Sequence, residues 1–128
     1  MSVITVHASG RARAETAWAR YLEPQRWPDW SPQITRVESS ARTIAPGVTG
    51  RVHGPLWVSV DFVVETVDAS AMTWAWRVHR GPVTLRLHHA VTATERGSRT
   101  SVGVTGPLPL ILGYAPLARF ALSRLVRP

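Results

Sequence analysis

His89 is the residue of this 128-residue chain whose type and setting best suit chemistry. Imidazole titrates near neutrality, so it can serve as general base or as a hydrogen-bonding anchor. The strand alternation derived below turns His89 inward among Met72, Leu87 and Val104, and a buried imidazole needs a partner. Two roles are open to it: a core histidine satisfied by a backbone carbonyl or water, or a catalytic or anchoring group in a cavity. His88 points to the opposite face, so the His88-His89 pair cannot chelate one ion from a single side. His53 and His79 fall on the outer face with no carboxylate at ligand-like spacing, and no metal site is expected.

The other common catalytic sets are missing. The sequence has no Cys, which excludes disulfide scaffolds, thiol nucleophiles and zinc ribbons, and its 15 basic residues are all Arg, which excludes Schiff-base lysine chemistry. Asp61 and Glu65 project outward and Asp68 falls in a turn, leaving no inward carboxylate pair for acid/base work. There is no nucleophile-elbow motif, and Gly47-Val48-Thr49-Gly50 lacks the Gly-Lys-Ser/Thr step of a phosphate loop. What remains is aromatic. Of the 6 Trp, Trp74 and Trp76 share the inward face with Phe62, either as core or as the wall of an apolar ligand site, while Trp27 and Trp30 seal a helix-loop corner. Tyr114 offers a hydroxyl at the mouth of such a site. With His89 and Tyr114 as the available inward polar groups, binding is favoured over catalysis.

The elements that position these residues follow from periodicity. Val3 to Ala8 alternates as a half-buried strand, and Arg13 to Leu22 switches to helical spacing with Ala14, Ala17, Trp18, Tyr21 and Leu22 on one stripe, stopped by Pro24. A second helical turn is expected over Gln25 to Asp29, then strands over Ile34 to Glu38 and Val48 to His53, separated by the turn Ala45-Pro46-Gly47. From Trp57 onward the chain reads as a meander. A hairpin tip at Arg80-Gly81 sets Trp76 opposite Leu85, Trp74 opposite Leu87 and Met72 opposite His89. A turn near Ala69 sets Phe62 opposite Trp76, Val64 opposite Trp74 and Asp61 opposite Arg77; a turn at Arg96-Gly97 sets His89 opposite Val104. The four strands then share one apolar face.

That face must be covered, and the remaining long apolar segment is Leu110 to Val126. Its Arg119, Arg124 and Arg127 cluster on one sector of a helical wheel, with Leu117, Ala121, Leu122, Leu125 and Val126 mostly opposite. Gly113 and Pro116 predict regular helix from near Pro116, after an irregular lead-in from Leu108. The length favours a single domain over residues 1–128, and a formal charge of +7 favours anionic partners. The arginines are dispersed, with no nucleic-acid motif, so nucleic acid is not the expected partner, and any association with it should be weak, salt-dependent and without sequence preference. Met1 to Gly10 lacks the basic n-region and apolar run of a signal peptide, and Pro107 to Ala118 is too short to span a bilayer; a cytoplasmic protein with no membrane span is expected.

The order of a strand, two short helices, a meander and a long last helix resembles the START-like helix-grip superfamily, also called SRPBCC, and its polyketide cyclase/dehydrase branch. The most specific stretch runs from Glu15 through the Glu23-Pro24 step to Trp27-Pro28-Asp29-Trp30-Ser31-Pro32. The resemblance implies an α+β fold in which a curved antiparallel sheet of six or seven strands grips the C-terminal helix, with a ligand cavity between them. It implies a small hydrophobic, aromatic or polyketide-like ligand, no cofactor, and a role as carrier, sensor or cyclase-type enzyme. The cavity would be formed by Phe62, Met72, Trp74, Trp76, Leu87, His89 and Tyr114, with His89 the candidate catalytic group. A second class of function is a basic interaction protein for nucleic acid or an acidic protein, as in a toxin–antitoxin pair. Either a monomer or a homodimer joined through the C-terminal apolar segment fits the sequence.

Overall fold

The computed structural model describes residues 2–55 and 58–128; Trp57, where the sequence starts the meander, lies outside them. Strand β1 (Ser2–Gly10) leads to helix α1 (Ala14–Leu22), and a 3-10 turn at Pro24–Arg26 runs into the short helix α2 (Trp27–Trp30). Six strands follow: β2 (Arg36–Ser39), β3 (Thr49–His53), β4 (Ser59–Asp68), β5 (Thr73–Arg80), β6 (Val83–Thr94) and β7 (Gly97–Gly106). Helix α3 (Leu108–Leu125) closes the chain. The strands form one antiparallel sheet in the order β1-β7-β6-β5-β4-β3-β2, and α3 lies against β1 and β7. This is the helix-grip arrangement.

The inward face of the meander is the one that alternation predicts, but its pairing is offset by two residues. Trp76 lies opposite Leu87, Trp74 opposite His89, and His89 opposite Val102. The cause is in the turns. Gly81-Pro82, not Arg80-Gly81, forms the first tip, because Gly81 takes a positive φ of 57° and Pro82 has no N–H to offer a ladder. Glu95-Arg96 forms the last tip, with Thr94 paired to Gly97. A shift of two residues leaves every side chain on its expected face, whereas a shift of one would have inverted the sheet. Between β4 and β5 a bulge at Val64/Thr66 adds one residue; Phe62 pairs with Val78, Val64 with Trp76, and Val67 with Trp74. Asp61 therefore faces His79 and makes its close ion pair with Arg51 of β3 at 2.9 Å, not with Arg77. Asp68 ends β4 by accepting hydrogen bonds from the Ser70 hydroxyl and the Ala71 N–H, and Met72 follows at φ 54°.

Helix α1 shows why the Trp-rich corner sits where it does. A helix leaves its last carbonyls without intrahelical partners. Here the Trp30 indole donates to Arg20 O at 3.1 Å and the Trp27 indole donates to Tyr21 O at 2.9 Å, so the two Trp residues cap α1 while their rings enter the core. Arg20 reaches the other way: its Nη1 donates to Leu125 O at 2.5 Å and to Arg127 O at 2.6 Å, tying α1 to the electronegative C-terminal end of α3. Charge-assisted bonds of this kind are the stronger class, though the site is part-exposed. Arg20→Met is expected to lower stability by about 1–2 kcal/mol, read as a drop in denaturant midpoint at unchanged slope.

Helix α3 departs from its expected start. It is regular from Leu108, because Pro107 and Pro109 preset the backbone of its first turn, and Pro116 lies within it. The N–H missing at Pro116 would have bonded to the Leu112 carbonyl, on the exposed side of the helix, where water can replace it. The buried stripe is Ile111, Ala118, Ala121, Leu122 and Leu125, whereas Leu117, expected with them, is 49% exposed.

Candidate functional site

A cavity of about 430 Å³ lies between the inner face of the sheet and α3. Trp74, Trp76, Val78, Leu85, Leu87 and Val102 form its sheet wall, and Tyr114, Leu117, Ala118, Ala121 and Leu122 its helix wall. Trp27, Trp30, Ser31, Gln33 and Ile34 close one side, and Gly54, Pro55 and Val58 from the β3–β4 connection, with Ser59 at the start of β4, edge it. The α1–α2 corner thus has two jobs, capping a helix and supplying aromatic wall.

His89 sits at the inner end, 4% exposed, and both ring nitrogens are engaged. Thr100 Oγ1 donates to Ala90 O at 3.0 Å, which uses its one proton. The Tyr21 hydroxyl, 2.7 Å away, must therefore donate to Thr100 and leave its oxygen to accept from His89 Nδ1–H at 3.2 Å. His89 Nε2 then keeps its lone pair and accepts from the Trp76 indole at 3.0 Å. The chain of bonds assigns one tautomer, neutral with the proton on Nδ1, and no lone pair is left for a substrate proton. Burial lowers the imidazole pKa from 6.5 to about 3, with a smaller push from His88, so the ring stays neutral near pH 7. Burial likewise raises the Tyr21 phenol above its usual range despite the Thr100 bond.

The ring is also clamped by stacking. Trp74 lies parallel to His89 with centroids 4.7 Å apart and an interplanar angle of 11°, and Trp76 stacks on Trp74 at 5.3 Å. Tyr21 meets Trp74 edge-on at 5.6 Å. Two polar atoms on cavity residues, Trp74 Nε1 and Gln33 Oε1, are buried without a hydrogen-bond partner among the described residues. Desolvation raises the Tyr114 phenol to about 12, so it remains a hydroxyl at the cavity wall.

Of the residues expected from sequence to line the site, Trp74, Trp76, Leu87, His89 and Tyr114 are brought together. Phe62 and Met72 are not among the lining. The Phe62 ring lies over Gly50, where an added Cβ would come within 2.7 Å of it, and packs against Trp27 and Trp76 behind the wall. Met72 lies in the β4–β5 turn, outside the strand, and the tip at Gly81-Pro82 puts Trp74 in the place opposite His89. Sequence reasoning missed Tyr21, Gln33, Ile34 and the β3–β4 residues. Tyr21 was legible as apolar stripe, but nothing local says that its hydroxyl meets a histidine 68 positions away. Among the described residues no group of three or more His, Asp or Glu could hold a metal ion, and no helix is long and apolar enough to cross a membrane.

The family described as polyketide cyclase / dehydrase and lipid transport matches residues 1–127. The chain belongs to that family. Solved structures agree on the fold. This member is similar to Ara h 8.0201, with 12% identity, a TM-score of 0.77, and coverage of 97% of this chain and 94% of the other. It is similar to MLL2253 of Mesorhizobium loti, with 17% identity, a TM-score of 0.77 and coverage of 97% and 96%. It is also similar to DynU16, a protein of the dynemicin biosynthetic locus, with 17% identity and a TM-score of 0.78; the match covers 98% of this chain and 46% of that one. At these identities the likeness is one of fold. No curated protein matches the chain in sequence.

Proposed function

We propose that this family member binds a small, mostly apolar molecule, aromatic or polyketide-like, in the cavity between sheet and α3, and that it acts as carrier or sensor. The observation that carries the reading is the cavity itself: about 430 Å³, walled by indole rings and aliphatic side chains, with few polar groups. That combination suits a small ligand. The family description, which joins polyketide cyclisation with lipid transport, supports the same ligand class. Binding is favoured over catalysis because His89 spends both nitrogens inside the protein, on Trp76 and Tyr21. His89 then orders the aromatic wall and does not act as a base. The unpaired Trp74 N–H suits a ligand that carries one hydrogen-bond acceptor.

N-phenyl-1-naphthylamine, a neutral aromatic probe whose fluorescence rises in apolar surroundings, tests the reading. With about 17 non-hydrogen atoms at roughly 0.3 kcal/mol each, it should bind with about 5 kcal/mol, a Kd of roughly 0.2 mM or tighter. Val78→Trp, which fills the cavity from β5, is expected to weaken binding at least tenfold while the protein stays folded by circular dichroism. Equal titration curves for the two proteins would remove the cavity as the binding site. Native mass spectrometry of freshly purified protein would show the natural ligand directly, if it co-purifies.

A further inference from the structure

The outer face of the sheet carries a second hollow, of about 620 Å³, lined by Arg77, His79, Gly81, Thr84, Arg86 and Thr105. Three adjacent strands build it: Arg77 pairs directly with Arg86, His79 with Thr84, and Arg86 with Thr105. Residues directly opposite across an antiparallel pair hold their Cβ atoms about 4.5–5.5 Å apart, and like charges in that position destabilise a sheet. The nearby carboxylates relieve this pair on one side only. Glu65 approaches only Arg77, at 3.9 Å, and Asp61 stands 4.0 Å from His79 while its close partner is Arg51 at 2.9 Å. Both acids belong to β4, beyond β5, and neither lines the hollow. Among the described residues Arg86 has no ion-pair partner.

We propose that this hollow is an oxyanion site for a phosphate-class group, gripped by the Arg77 and Arg86 guanidinium groups with the Thr84 and Thr105 hydroxyls as further donors. Two planar guanidinium forks carried by directly paired residues of one hollow match the several oxygens of such an anion, and an anion bound by both removes their mutual repulsion. Hydroxyls add neutral donors and bring no competing charge. The site lies on the opposite face of the sheet from the apolar cavity, so it neither requires the ligand reading above nor fails with it.

The test is thermal unfolding in inorganic phosphate against sodium chloride at matched ionic strength and pH. The expected result is a saturable rise in Tm with millimolar phosphate that chloride does not reproduce, since a ligand that binds only the native state stabilises it by mass action. Arg86→Gln should weaken the apparent phosphate affinity at least tenfold, and Arg77→Gln should do the same. Arg99→Gln, a charge-matched change elsewhere on the sheet, should leave it within twofold. Arg86→Gln should itself unfold at the wild-type temperature or slightly above it in low salt, because it removes one of two opposed charges. Equal shifts in phosphate and chloride, or an unchanged phosphate response in Arg86→Gln, would overturn the site. Tighter binding of glycerol phosphate than of inorganic phosphate would name an esterified phosphate as the natural occupant and the reverse order the free ion; either order upholds the site.

Discussion

His89→Leu is expected to lower Tm by about 10 °C at neutral pH while changing the affinity for N-phenyl-1-naphthylamine by less than about threefold. The substitution removes the acceptor of the Trp76 indole N–H, which is buried, and the donor to the Tyr21 hydroxyl. An orphaned buried donor costs about 1–3 kcal/mol. Loss of the parallel stack on Trp74 adds about 0.5–1.5 kcal/mol. Together these give about 2–4 kcal/mol, and for a chain of this size each kcal/mol moves Tm by about 4 °C. Leucine is apolar and of comparable bulk, so the wall itself persists. Affinity changes little because no ring nitrogen of His89 is free to hold a ligand. The opposite result, a tenfold loss of affinity with Tm unchanged, would restore His89 as the ligand anchor and defeat the structural role assigned to it.

Acid should destabilise the protein at a pH where carboxylates are still ionised, and His89 should be the cause. Its pKa falls from 6.5 to about 3 on folding, so between those values the unfolded chain takes up a proton that the native state refuses. Stability from this group is therefore complete above pH 6.5 and is lost as pH falls, at about 1.4 kcal/mol per unit. From pH 6.5 to 4.5 the loss is about 2 kcal/mol. His89→Leu lacks that share. Chemical denaturation of both proteins across this range should give curves that differ by about 2–4 kcal/mol at neutral pH and nearly converge by pH 4.5. Parallel curves would mean that His89 is protonated in the native state and that its burial does not govern its titration. Below this window the lowered carboxyls of Glu38, held by His53, and Asp61, held by Arg51, begin to take up protons as well, so the comparison is made above it.

By itself, the sequence determined the architecture and which strand residues face the inside of the sheet, though not that Met72 leaves the strand or that Leu117 faces outward. Period-two alternation placed Trp74, Trp76, Leu87 and His89 on one face, and helical spacing placed Ala14, Ala17, Trp18 and Tyr21 on one stripe, because both depend only on the geometry of one element. Partners across the sheet were a different matter. Which residue pairs with which depended on whether the tips fell at Arg80-Gly81 or Gly81-Pro82 and at Arg96-Gly97 or Glu95-Arg96, which moved the pairings by two and left the face unchanged. It depended also on a bulge at Glu65, which moved those beyond it by one more and turned Val67 inward. The same choices drew Met72 into a turn and put Trp74 against His89. Tertiary structure alone decided the character of His89. Its partners, Tyr21 and Trp76, come from α1 and β5, Thr100 of β7 stands behind Tyr21, and the direction of each bond follows from the single proton of Thr100 being spent on Ala90. Local patterning carries no information about such contacts, because they arise when elements distant in sequence are packed around one buried ring.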